Sequence, residues 1–210
     1  MLKVIELNVT ISDGTNRTIP IELDSKSVDL SKLSIIAIDL AELDHLEKLE
    51  ELILSGNKLM TIDLTVLAFT TAIHTVSLDY NNLQIINLEP LSYCTSLEHL
   101  NLSSNQLLRV DLSPISGCKS LISLNLEKNR LVSLDVAPIS KCAKLEEINL
   151  LENPLKRLDL TGLFSCASLQ RLLVPRDTRL ISKKKFDVEL LNPPALNELI
   201  AEDRIEFSLE

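Results

Sequence analysis

At 210 residues, the chain is long enough for one large domain or two small ones. Its 45% apolar composition excludes a disordered chain. A net charge of −9 argues against nucleic acid and anionic membrane as partners, since both need a positive field. No apolar run is long enough to span a membrane.

Only 3% of the residues are aromatic and none is Trp, so the core must be built from Leu, Ile and Val in many small, similar layers. Four glycines are too few for a fold rich in tight turns.

The chain opens with two alternating stretches, residues 3–11 (Ile5, Leu7, Val9, Ile11) and 18–23 (Ile19, Ile21, Leu23), joined by SDGTN. This pattern predicts a β-hairpin over residues 1–24. It lacks the continuous apolar stretch of a signal peptide.

From Ser25 the chain repeats itself every 24 residues. LEHLNLSSNQL (97–107), LISLNLEKNRL (121–131) and LEEINLLENPL (145–155) are the clearest units; others start at Leu49, Ile73 and Leu169, and a degraded one at Ser25. Within a unit, HLNLS alternates with the period of a half-buried strand, Leu100 and Leu102 pointing in and His99, Asn101 and Ser103 pointing out. The segment Val110-Asp111-Leu112 reads as a second extended stretch, and Ser113–Cys118 as a turn or short helix with Ser113 as its N-cap and Pro114 as its first residue. One such unit cannot offset the entropy of ordering its own backbone, so neighbours must share a core and a sheet. The crossover is wider than the strand, which predicts a curved stack with the strands on its concave side.

After the last unit, the Asn position becomes Asp177. NPPALNELIAEDR then reads as a helix begun at the prolines, followed by IEFSLE, and residues 181–210 are expected to form the C-terminal cap.

The pattern LxxLxLxxNxL resembles the leucine-rich repeat over residues 25–180, about seven units. The resemblance implies a single α/β domain over residues 1–210. It would be a curved, right-handed solenoid with a parallel sheet on the concave face and short second strands, turns or short helices on the convex side. It also implies a non-enzymatic module that binds a protein partner; intracellular members often act as scaffolds or regulators of enzymes.

Several columns recur at the repeat period. Asn57, Asn81, Asn105, Asn129 and Asn153 form an inward ladder able to satisfy unpaired backbone groups at the turn. A polar binding ladder is the rival reading. Cys94, Cys118, Cys142 and Cys166 occupy one position and read as inert packing, whereas disulfides or metal sites ask for paired or clustered thiols. Secreted relatives often carry cysteine-bonded caps; here neither end has a Cys, which predicts a reducing, cytoplasmic location. Asp39, Asp63, Asp111, Asp135 and Asp159, with Asn87 between, either accept local backbone N–H bonds or form a stripe for cations or a partner. His45, His74 and His99 share no position or partner nucleophile. Asn8, Asn16 and Asn101 open glycosylation-type triplets that an intracellular protein would not use. Lys183, Lys184 and Lys185, near Arg171, Arg176 and Arg179, form a basic run, either solvated or a dock for an acidic partner.

The outward strand positions define the expected binding surface: Glu51, Ile53, Tyr80, His99, Asn101, Ser103, Asn125, Glu127, Asn149, Leu151 and Arg171. Asn101, Asn125 and Asn149 align and can bond a peptide or one another. The reading favoured is a monomer that binds a protein on this face, without cofactor or metal. Its rivals are an extracellular recognition domain and a carbohydrate- or small-molecule-binding surface.

Overall fold

The structure is a computed structural model describing residues 3–183 and 192–208. Its elements are β1 (Val4–Ile11), β2 (Asn16–Glu22), β3 (Ser27–Asp29), β4 (Ile35–Ile38), β5 (Glu51–Ile53), β6 (Thr75–Ser77), β7 (His99–Asn101), β8 (Ser123–Asn125), β9 (Glu147–Asn149), β10 (Arg157–Asp159), β11 (Arg171–Leu173), β12 (Arg179–Ser182), α1 (Pro194–Ala201) and β13 (Ile205–Phe207).

Seven of the strands stack in parallel in the order β3-β5-β6-β7-β8-β9-β11. Register is strict: Glu51, Thr75, His99, Ser123, Glu147 and Arg171 lie side by side across the sheet. The identical spacing of the repeats enforces this. A one-residue slip would turn Leu52, Val76, Leu100, Leu124, Ile148 and Leu172, all buried, out to solvent. Each repeat then returns through a five-residue 3-10 helix, such as Ser113–Gly117, whose inward residue (Ile115 here) fills the layer beneath the sheet. One continuous apolar core runs from Ile5 to Ile205.

The second extended segments behave differently along the stack. They form strands only at β4 and β10, near the two ends. There they find a partner: β4 pairs antiparallel with β1, and β10 pairs in parallel with β12, which pairs with β13. Between them, neighbouring convex segments exchange only isolated bonds, such as Leu108 N–H to Gln84 O at 3.3 Å. The expectation of second strands therefore holds at the ends and gives way to unpaired extended chain in the middle.

At the N-terminus, β1 and β2 form the hairpin, in register from Val4↔Glu22 to Thr10↔Asn16. Leu7 and Val9 are buried on its inner face. At the other end, β12 crosses the expected boundary at residue 180, so the repeat pattern runs into the C-terminal cap. Helix α1 starts with Pro193 as N-cap and Pro194 inside its first turn, buries Ala195, Leu196 and Leu199, and is tied to the last repeat by Ala195 N–H to Leu169 O at 3.1 Å. Strand β13 extends the convex sheet beyond it, a role that the sequence reading had left open for IEFSLE. Of the basic run, Lys184 and Lys185 lie outside the described residues.

The polar columns hold this stack. Each ladder Asn accepts an N–H from the repeat before it and donates to carbonyls of both repeats. For Asn105 the N–H is that of Leu83 (3.0 Å) and the carbonyls are Leu78 (2.9 Å) and Leu102 (3.2 Å). The next residue of the column shares the same carbonyl: Asn129 donates to Leu102 O at 3.0 Å. The five carboxamides thus form one continuous chain of bonds across the repeats.

The acidic column does its work locally. Asp39, Asp63, Asp111, Asp135 and Asp159 each accept the N–H two residues on, at 2.8–3.0 Å, and Asn87 does the same for Glu89. This corrects the cap assignment in the crossover. Ser113 is the first residue of its 3-10 helix, and Asp111 supplies the side-chain oxygen that caps it. Bonds from Ser113, through its hydroxyl and its N–H, hold the Asp111 carboxyl below the ordinary 3.8, and Thr65 does likewise for Asp63. A lowered folded pKa means stability that is present above the unfolded pKa and is lost as pH falls through the folded value. Asp111→Asn, which copies Asn87, is therefore expected to leave the melting temperature at pH 7 nearly unchanged and to flatten its fall below about pH 4. Thermal melts of both proteins from pH 7 to pH 2 check this.

The four thiols are buried and free of disulfides. Each points at a carbonyl of the preceding repeat, as Cys118 Sγ does at Leu91 O (3.2 Å). Burial pushes Cys94, Cys142 and Cys166 up to about 11 and Cys118 to about 12. With neither access nor thiolate, they are expected to ignore a thiol-reactive disulfide reagent at pH 8 until denaturant is added, when all four titrate.

Candidate functional site: the concave sheet face

The outward side chains of the seven strands form three columns on one open face. The first, Glu51 to Arg171, is the most accessible and carries its own links: His99 Nδ1 lies 2.8 Å from Ser123 Oγ, and Arg171 donates to Glu147 Oε2 at 3.1 Å. The second runs Ile53, Ser77, Asn101, Asn125, Asn149, Leu173, and the third Ser55, Asp79, Ser103, Glu127, Leu151. In the third, the Ser55 hydroxyl donates to Asp79 Oδ1 at 2.5 Å. Where the columns cross β6 to β9, a shallow cleft of about 290 Å³ is lined by Ser77, His99, Asn101, Ser123, Asn125 and Glu147.

The aligned asparagines do not bond one another. Each turns its carbonyl oxygen back to its own strand end: Asn101 to Ser103 N–H (3.1 Å), Asn125 to Glu127 N–H (3.0 Å), Asn149 to Leu151 N–H (3.1 Å). Asn149 also gives its amide to Glu127 Oε2 at 3.0 Å. Among the described residues, the amide nitrogens of Asn101 and Asn125 have no partner, and both side chains line the cleft.

Two residues expected on this surface are corrected by their burial. Ser103 and Asn149 are 6% and 8% exposed. Asn149 is folded down between Glu127 and its own strand end, and Ser103 lies in the row between Asp79 and Glu127. The remaining nine, Glu51, Ile53, Tyr80, His99, Asn101, Asn125, Glu127, Leu151 and Arg171, are at least partly exposed.

Tyr80 stands out at 62% exposure. Its backbone is left-handed, with φ 52°, as are Lys32, Ser104, Lys128 and Glu152 at the same repeat position. The chain must reverse here to place the following Asn inward, and the reversal swings the preceding side chain out over the rim of the face. The one sequence signal for this column is Gly56, which shares the conformation at φ 70°.

Sequence reasoning missed a second feature. Met60, Ile85, Leu108 and Val132 lie just past the Asn turn in successive repeats and are all at least half exposed. Phe69 and Tyr93, one repeat apart on the 3-10 helices, are likewise exposed. The signal was present: an apolar residue follows the inward Leu in LMT, LLR and LVS. Local sequence does not distinguish the last inward residue from the first outward one, so the exposure of these residues is not legible there.

Of the histidines, His45 contacts Asp44 at 2.5 Å, and His74 directly precedes β6; no group of three metal-ligating side chains occurs among the described residues. Within the basic end, Arg171 is paired with Glu147, and Arg179 Nε with Glu206 at 3.0 and 3.1 Å.

This geometry, a strictly stacked parallel sheet with Asn-laddered turns, defines a leucine-rich-repeat solenoid. A family model described as leucine rich repeat matches residues 47–107 and again 71–131. Over residues 47–131 the chain therefore carries leucine-rich repeats. Among solved structures, it is similar to a leucine-rich-repeat protein of Leptospira interrogans (25% identity, TM-score 0.59, covering 80% of this chain and 39% of that one). It is also similar in fold to two Listeria monocytogenes proteins. Internalin C2 has 23% identity and TM-score 0.60, with 80% of this chain and 69% of that one covered. Internalin F has 18% identity and TM-score 0.56, with 91% and 57% covered. The chain thus spans well under half of the Leptospira protein. No curated protein matches it.

Proposed function

We propose that the protein is a non-enzymatic interaction module that engages a protein partner through its concave sheet face. Leucine-rich-repeat domains are in general protein–protein interaction modules. The observation that carries the assignment to this face is the contrast between constant and variable columns. The constant residues are consumed by the core, the Asn ladder and the Asp turns, whereas the outward strand residues change from repeat to repeat. Beside the variable positions stand an exposed Tyr80, on the rim, and two asparagine amides with open donors at a cleft. Such a surface offers an aromatic anchor and directed hydrogen bonds within one contiguous patch.

The test is an affinity capture from lysate of the host, read by mass spectrometry, with wild type and a Tyr80→Ala/Asn101→Arg/Asn125→Arg variant whose fold is checked by circular dichroism. A partner held by wild type and lost by the variant is the expected result. Equal capture by both would move the site off this face.

A further inference from the structure

The structure assigns a charge to the partner: the concave face is built to take a cationic protein segment. This deepens the reading above and rests on it. The observation is a charge imbalance over the middle of the sheet. Over β6 to β9 and their rims stand Asp79, Glu98, Glu127, Glu146, Glu147 and Glu152, against Lys128 alone. Lys128 is shared between Glu152 (3.4 Å) and Glu127 (3.8 Å), and Arg171, from the next strand, takes Glu147. Glu98 and Glu146 have no ion-pair partner among the described residues, and Asp79 has only the Ser55 hydroxyl.

Besides those of Lys128, the ion pairs of the face lie toward its ends: Lys26 with Glu50 at 2.7 Å near one, Arg171 with Glu147 near the other. Glu147 lines the cleft, where the Asn101 and Asn125 amides present donors, and the open Glu98 and Glu146 each precede a lining residue, His99 and Glu147. Donors at the centre suit the carbonyl oxygens of an extended peptide backbone, and acceptors around them suit its Lys or Arg side chains. An acidic partner would bring like charges onto a surface that already holds uncompensated ones.

Selection of random twelve-residue peptides displayed on phage against the folded protein tests this. Binding of the selected peptides is then measured to wild type and to three variants. The first, Asp79→Asn/Glu98→Gln/Glu146→Gln, neutralises the face. The second, Glu42→Gln/Asp44→Asn/Glu47→Gln, removes the same charge elsewhere. The third is the Tyr80→Ala/Asn101→Arg/Asn125→Arg variant. The expected peptides are rich in Lys and Arg. They lose about tenfold in affinity on the first variant, less than about twofold on the second, and weaken as salt is raised. Equal losses on the first two variants would reduce the effect to overall charge and overturn the inference. So would selected peptides that need the face but carry no excess of cations, and that result would leave the concave reading standing. Peptides indifferent to the third variant would remove the concave reading and the inference together.

Discussion

Asn129→Ala is expected to destabilise the protein by roughly 2–4 kcal/mol, and the loss follows from what the carboxamide holds. Its Oδ1 accepts the Leu107 N–H at 3.0 Å, and its Nδ2 donates to Leu102 O and Leu126 O, both at 3.0 Å, across two repeats. The two carbonyls retain a second carboxamide each, from Asn105 and Asn153, so they are weakened rather than stranded. The Leu107 N–H is left buried without a partner, and a void replaces the amide. The control is Asn125→Ala, also an asparagine in the same repeat. That side chain faces out and accepts one N–H, from Glu127, so its loss is expected to stay near 1 kcal/mol or below. Urea unfolding followed by circular dichroism separates the two. Equal and small effects would mean that the ladder is dispensable and that apolar stacking alone sets the turn.

The second large effect is expected at the N-terminal cap. Leu7 is fully buried at the centre of β1, the strand that joins the hairpin to β4 and to the core. Leu7→Asp places a carboxylate where no cation or donor is at hand, a cost of several kcal/mol unless the hairpin detaches. In a stack where each repeat contacts its neighbours, the damage is expected to be graded. Native-state hydrogen exchange should show amides of β1, β2 and β4 losing protection by orders of magnitude, while those of β8 and β9 change little. Uniform loss of protection along the chain would show instead that the solenoid unfolds only as a whole and that the cap is inseparable from it.

The inward columns were legible because a strict period aligns chemically equal positions. Leu100, Leu124 and Ile148 declare one another as a column, and so do the five asparagines and the acidic residues of the crossover. The local bond of Asp111 to Ser113 N–H was foreseeable on the same ground, since it depends on two residues of spacing and nothing further. Misassigning the cap to Ser113 was an error of register within a motif correctly located.

The candidate face was legible only as a list of outward positions. That Asn149 sinks below its neighbours depends on a side chain one repeat away, Glu127, which accepts its amide. That Tyr80 rises over the rim depends on a left-handed backbone announced in its own column only by Gly56.

By itself, then, the sequence determined the repeat, the faces of its strands and the residues that hold one turn to the next, because these are local and are restated every 24 residues. Only the tertiary structure decided where the period ends. It paired β1 with β4 and β13 with β12, turned the middle convex segments into unpaired chain, and left Met60, Ile85, Leu108 and Val132 in solvent. The physical reason is common to all of these. A strand edge is satisfied, or a side chain covered, only by what lies beside it in space. At the ends of a solenoid, and on the flank where neighbouring turns exchange few bonds, that neighbour is not the next copy of the repeat.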